Sequence, residues 1–283
     1  MSWGTLYGIG MGPGDPELLT RKAYRLLATV PVIFYPAAGG IAEGVALDIL
    51  LRVFPDQGGQ VSRKGSMRGL DTSRPRQLPV LERCRPLAIT MVRGANHVRP
   101  HWTDAAETVG EVLQSGRDAA FITEGDPLVY STFVYLRLAL AARFPEVQVE
   151  VIPGVSSITA AAARTAFPLA VADERFAVLP ASYDPIFLER ALEAFDTVVL
   201  LKVNRVLEQL IGILEPRGLL PNAVLVERCG TPRERIVKDL TKLRGQRVDY
   251  FSLLLVRKHR DPGIPSPPVR GRKSVRSKEL GCA

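Results

Sequence analysis

The residues with the most chemistry in them cluster at 121–132, FITEGDPLVYST. Glu124 and Asp126 set carboxylates on either side of Gly125, and Ser131 and Thr132 add hydroxyls shortly after. Gly125 lets a ligand come close to the backbone, and Asp126 is a short acceptor at the mouth of that turn. A second set lies at 8–17, GIGMGPGDPE, where glycines at 8, 10, 12 and 14 lead into Asp15. A third is IPGVSS at 152–157, in which Ser156 and Ser157 follow a Pro153-Gly154 turn. Two shorter sets come later, LLK at 200–202 and ERCGT at 227–231. No Ser-His-Asp or Cys-His arrangement accompanies them, so a protein nucleophile is not expected.

Elements must position these sets. Strands are expected at 6–9, 32–35, 87–91, 147–152, 176–179, 197–201, 223–226 and 250–256, with another ending at Phe121 and Ile122. Helical spacing of apolar residues marks 41–53, 102–113, 185–194 and 205–214. Asp15 is expected to cap a helix with Pro16 at its first position, its apolar face made by Leu19, Ala23, Leu26 and Leu27. Pro127 is read the same way, opening a helix from Leu128 that carries Phe133, Leu136 and Leu140. Ser156 and Ser157 open an alanine-rich helix, where small hydroxyls both cap and bind. Each chemical set therefore sits at the carboxyl end of a strand, where open α/β sheets hold ligands. The glycine run at 8–14 is not a dinucleotide fingerprint, because Pro13 stands where its last glycine would fall, and no GK[ST] follows.

Strands alternating with helices give an α/β class, and the length suits two domains. The boundary is expected at Ser115-Gly116, giving an N-terminal domain at 1–115, a C-terminal one at 116–259 and a disordered basic tail at 260–283. Residues 57–85, with Arg63, Lys64, Arg68, Arg74 and Arg76, read as a loop or flap that could gather an acidic substrate. Lysine and arginine total 37 against 29 acids, and the net charge of +8 favours an anionic partner. Cys84, Cys229 and Cys282 are far apart, and His97 and His101 have Pro100 between them and no HExxH frame. Neither disulfides nor a protein-bound metal is expected. With no apolar run long enough to cross a membrane and no signal-peptide pattern at MSWGTLYGIG, a cytoplasmic protein is expected.

Taken together and in this order, GxGPGDP, EGDPLVYST, PGVSS, LLK and ERCGT resemble the tetrapyrrole methylases of cobalamin and sirohaem biosynthesis, across residues 4–257. Within them, GDPLVYSTFVYL, LLKVNR and YFSLLLV resemble the branch that methylates carbon 20 of precorrin-2 or its cobalt form. The resemblance implies two α/β domains with S-adenosylmethionine (SAM) in the cleft between them, and a homodimer. It implies that Pro13, Glu124, Gly125, Asp126, Val129, Ser131, Thr132, Ser156, Ser157, Lys202 and Gly230 line the cofactor. Lys202 departs from the methionine common elsewhere in the family. The substrate would be a tetrapyrrole polycarboxylate, drawn to Arg93 and Arg99, with Asp15 and His97 beside it; Asp15, His97 and Glu124 are candidates to accept the proton that leaves carbon 20. Two alternatives stand beside this reading. One is a methylase of another ring position or of ribosomal RNA; the other is a non-catalytic basic binding protein.

Overall fold

The computed structural model describes residues 2–37, 44–55, 79–89, 95–181 and 184–259, with the backbone alone for 95–101. Arg93, most of the expected flap and the tail lie outside the described residues.

Two five-stranded sheets carry the molecule. The first holds β1 (Thr5–Gly10), β2 (Val32–Ala37), β3 (Cys84–Ala88), β4 (Ala119–Thr123) and β5 (Gln148–Ile152), all parallel, in the order β3-β2-β4-β1-β5. Both faces are covered, as a parallel sheet requires. On one side lie α1 (Arg21–Thr29) and α2 (Val45–Val53), which bury Ala23, Leu27, Ile49 and Leu50. On the other lie α4 (Ala95–Gln114) and α5 (Phe133–Arg143), which bury Val109, Leu113, Phe133 and Leu136. The short α3 (Val80–Arg83) sits at the entry to β3. Its Arg83 is buried and donates to the carbonyls of Leu27 and Val30 at the end of α1, so this part of the expected flap is core.

The second sheet holds β6 (Phe176–Pro180), β7 (Thr197–Leu201), β8 (Ala223–Glu227), β9 (Arg235–Val237) and β10 (Ser252–Arg257) in the order β6-β7-β10-β8-β9. Only β6 and β7 run parallel; the other neighbours are antiparallel. One face packs on α7 (Pro185–Ala194) and α8 (Leu207–Leu214) through Leu188, Leu192, Leu210 and Leu214. The other packs on α6 (Ser157–Thr165) through Ile158 and Ala161.

The α/β class and two-part organisation hold, but the expected boundary at 115/116 does not. β4 and β5 are hydrogen-bonded into the first sheet on either side of β1. Ser115-Gly116 is the end of α4: Gly116, at φ +80°, donates to the Leu113 carbonyl and turns the chain into β4. The crossing to the second sheet comes at 153–156, between β5 and α6. Three smaller expectations also shift. Asp15 caps a single 3-10 turn, Pro16–Leu18, while Thr20 caps α1 by accepting from the Ala23 amide. The strand expected at 87–91 runs at 84–88, its Pro86 tolerated because β3 is a sheet edge. The helix expected from Leu128 begins at Phe133. Asp126 turns the chain by accepting from the Leu128 amide, and Tyr130, at φ +52°, cannot continue a helix.

Candidate functional site

The sheet registers bring the loops together. Gly10 pairs with Thr123 and Ile9 with Ile152, so β1, β4 and β5 end at one height. Three loops leave from there. Gly12 and Gly125 exchange backbone hydrogen bonds, 2.8 Å from the Gly125 amide and 3.3 Å from the Gly12 amide. The Asp126 Oδ2 accepts from the Gly154 amide at 3.1 Å. The contact is main chain on main chain: a Cβ on Gly10 would lie 2.5 Å from the Gly125 oxygen, and one on Gly154 only 2.1 Å from it. Glycine at both positions is a condition of the approach.

The second sheet presents a matching edge. Leu201 pairs with Leu253 and Glu227 with Ser252, so the loops after β7 and β8 leave level with the segment that enters β10. Lys202 and Arg228 both take left-handed backbone, at φ +58° and +47°. They donate amide hydrogen bonds to the carbonyls of Ser252 and Phe251, at 3.0 and 2.8 Å. The Lys202 ammonium stands 5.8 Å from the Tyr250 ring centre, within cation–π reach. Arg228 Nε donates to Asp249 Oδ2 at 2.7 Å, with its guanidinium 5.7 Å from the Phe251 ring centre.

The halves touch at this edge. A Cβ on Gly14 would meet the Cys229 oxygen at 2.6 Å, and one on Gly230 the Asp15 amide at 2.9 Å. Tyr130 donates its hydroxyl to the Val178 carbonyl at 3.1 Å, tying the loop after β4 to β6. Between them lies a cavity of about 300 Å³. Its lining includes Pro13, Glu124, Gly125, Asp126, Val129, Ser131, Thr132, Ser156, Ser157 and Lys202. Of the residues expected around the cofactor, Gly230 alone is outside the lining; it braces the loop at 13–15 from behind. Asp15 is also behind the wall, accepting from the Glu17 amide at 2.9 Å. His97 and Arg99 fall on the first turns of α4, whose side chains there are not described.

Electrostatics single out Glu124. Burial pushes its carboxyl up to about 7, against the pull of the Arg228 guanidinium and with a further push from the Asp249 charge. Cys229 also lines the cavity, but burial, together with the Glu234 charge, pushes its thiol up to about 12, which makes it inert as a nucleophile. Burial opposes ionisation of Glu234 too. The Arg164 hydrogen bond and the Gly230 amide outweigh it and hold that carboxyl below the usual range.

The sequence reading missed Arg228, Tyr250 and Phe251 in the lining, and Asp249 as the partner that holds Arg228. The signal was present: Glu227 ends β8 with Arg228 directly after it, and DYF runs into β10. What was missing was the antiparallel pairing that sets the two side by side.

Known proteins resemble this chain in sequence and fold. Residues 5–243 match the family model for Tetrapyrrole (Corrin/Porphyrin) Methylases. A cobalamin biosynthesis protein of Mycobacterium bovis, CobIJ, is 33% identical over 263 residues, and this chain spans about half of its length (46%). The precorrin-2 C(20)-methyltransferase of a Sinorhizobium species is 33% identical over 255 residues, covering 89% of this chain and 95% of that one. The cobalt-precorrin-2 C(20)-methyltransferase of Salmonella typhimurium is 27% identical over 256 residues, covering 90% and 97%. Among solved structures, Thermus thermophilus uroporphyrin-III C-methyltransferase complexed with S-adenyl homocysteine gives a TM-score of 0.59 at 24% identity, over 90% of this chain and 92% of that one. At that identity the likeness is one of fold. With a family match running from β1 to the turn before β10, and a relative at 33% identity matched over 95% of its length, the chain belongs to the tetrapyrrole (corrin/porphyrin) methylases.

Proposed function

We propose that the chain is a SAM-dependent C-methyltransferase that methylates carbon 20 of precorrin-2 or its cobalt form in corrin biosynthesis. One observation carries the reading. Loops from both halves, spread along the sequence from position 13 to position 202, frame a single cavity whose lining contains the motif residues Pro13, Glu124, Asp126, Ser156 and Lys202. The named relatives of matching length act at that carbon by their names.

The residues present fit SAM. The volume is at the small end of the range for a small-molecule site, as a folded ligand requires. Gly125 is buried, lines the cavity and has nothing within 4 Å of the position of a Cβ, so bare backbone leaves room there. Glu124 offers negative charge toward a sulfonium, and Ser156 and Ser157 offer hydroxyls at the start of α6. When bound, SAM supplies a methyl group already activated by its sulfonium charge. The protein's part is alignment and exclusion of water, which alone accounts for a large share of the lowered barrier. Asp126 fixes the spacing of two loops, Tyr130 closes the wall toward β6, and Lys202 and Arg228 offer cations to substrate carboxylates.

Incubating the pure chain with carbon-13-methyl SAM and precorrin-2 or cobalt-precorrin-2 is expected to add one methyl, and carbon-13 NMR places it at carbon 20. A methyl at another ring carbon moves the assignment within the family, and no methyl uptake overturns it. The reading carries with it a homodimer in the cytoplasm. Leu128, Tyr135 and Leu138, all exposed on the loop after β4 and on α5, supply apolar surface for a second copy. Light scattering at twice the chain mass is the expected result.

A further inference from the structure

Adding a methyl to a ring methine leaves a surplus proton on that carbon, and a group must take it. The carboxylates around the cavity are nearly all engaged. Asp126 accepts from the Leu128 and Gly154 amides with its two oxygens, at 2.9 and 3.1 Å. Asp249 accepts from Arg228 Nε and the Phe251 amide, at 2.7 and 2.8 Å. Glu227 accepts from the Asp249 amide at 2.6 Å and faces Arg235. Glu234 is held by Arg164 and the Gly230 amide. Asp15 is turned to its own 3-10 turn behind the wall. Glu124 is the exception: it lines the cavity at the carboxyl end of β4, and among the described residues its carboxyl forms no hydrogen bond.

We propose that the Glu124 carboxylate is the base that removes the proton from the freshly methylated ring carbon. The inference rests on the functional reading above. The ring carbon's π electron pair becomes the new C–CH3 bond, and the pair of the broken S–CH3 bond stays on sulfur. The ring then carries one positive charge. A Glu124 oxygen takes the carbon-20 proton, and the C–H pair returns to the ring as the restored double bond. The resulting carboxylic acid gives its proton to solvent. One methyl enters and one proton leaves, with no oxidant or reductant. The groups that face Glu124 suit the task. Arg228 favours its ionised form, while burial and the Asp249 charge keep its proton affinity high enough for a base working near neutrality.

The test uses the full chain and its Glu124→Gln and Glu124→Asp variants. In ligand-free protein labelled at the glutamate carboxyl carbon, one resonance is expected to titrate near neutrality and to vanish in Glu124→Gln. SAM affinity of Glu124→Gln by calorimetry at a pH where Glu124 is protonated is expected to stay within about threefold, while kcat falls by about 100-fold or more. The rise of kcat with pH through about 7 disappears in Glu124→Gln and persists, at lower rate, in Glu124→Asp. The Asp variant also stands in if Glu124→Gln fails to fold by circular dichroism. A Glu124→Gln enzyme with unchanged kcat and an intact pH limb overturns the role. So does a variant whose whole defect is weaker SAM binding, which makes Glu124 a cofactor contact. Wild-type protein that transfers no methyl to either ring overturns the functional reading and this role with it; transfer by wild type and variant alike overturns this role alone.

Discussion

Asp126 holds two loops with one carboxylate. Its side chain bridges the Leu128 amide in its own loop and the Gly154 amide after β5. The triplet GDP marked Asp126 in the sequence as a ligand group at a turn; the structure adds that it is a clamp. Asp126→Ala is therefore expected to weaken SAM binding about tenfold or more and to open the 126–132 loop, because two amides lose a charged acceptor at about 1–3 kcal/mol each. Calorimetry and faster hydrogen exchange at Gly154 check this; equal SAM affinity in mutant and wild type removes Asp126 from the site. Glu124 makes the opposite kind of prediction. Its proton is held more tightly in the folded chain than in the unfolded one, since burial lifts its carboxyl from 4.5 to about 7. Its contribution to stability is then greatest below about pH 4.5 and is lost as the pH rises through about 7. Glu124→Gln is expected to melt higher than wild type at pH 8 and to match it at pH 4, a few degrees apart at most in a calorimetric series.

The elements that carry these residues were largely legible, because buried parallel strands are short apolar runs and their ends carry the glycines. β7 and α7 begin and end where periodicity sets them. What escaped was whatever depends on a distant partner. β9 is three residues long and exists by pairing with β8. The helix after β4 starts late because Asp126, Tyr130 and Ser131 shape a loop, with the Ser131 hydroxyl 2.9 Å from that of Thr123 and accepting from the Phe133 amide. Among the site residues, those on strand-end motifs were readable, whereas Arg228, Asp249 and Tyr250 needed the β8–β10 pairing to become neighbours. The junction of β1, β4 and β5 gives a sharp test at this scale. Gly154→Ala places a methyl 2.1 Å from the Gly125 oxygen, with backbone on both sides that cannot yield. A loss of about 3 kcal/mol or more is expected by urea denaturation, beyond ordinary overpacking. Gly212→Ala, in α8 with open space around its Cβ, is expected to be neutral or stabilising by up to about 1 kcal/mol.

At the scale of the whole molecule, the boundary between halves lies at a ligand loop. The chain leaves the first sheet after Ile152, passes the cavity at Ser156 and packs α6 on the second sheet. A linker-like dipeptide at 115–116 misled the sequence reading, since strand order within a sheet is not written in local composition. The second half is tied together by Arg257, almost fully buried on β10. Its guanidinium contacts both Glu174 oxygens at 2.5 and 2.6 Å and the Pro168 carbonyl at 2.6 Å, fastening the segment between α6 and β6. Glu174→Ala leaves that cation without its carboxylate and is expected to cost about 3–5 kcal/mol, read as a lower denaturation midpoint. The glycine junction has a last consequence. Where strand ends abut as naked peptide, Gly10 and Gly154 leave selection or an engineer no side chain to exchange, so that end of the crevice is frozen. Any drift in ligand preference must be written elsewhere on the lining, where there are side chains to exchange.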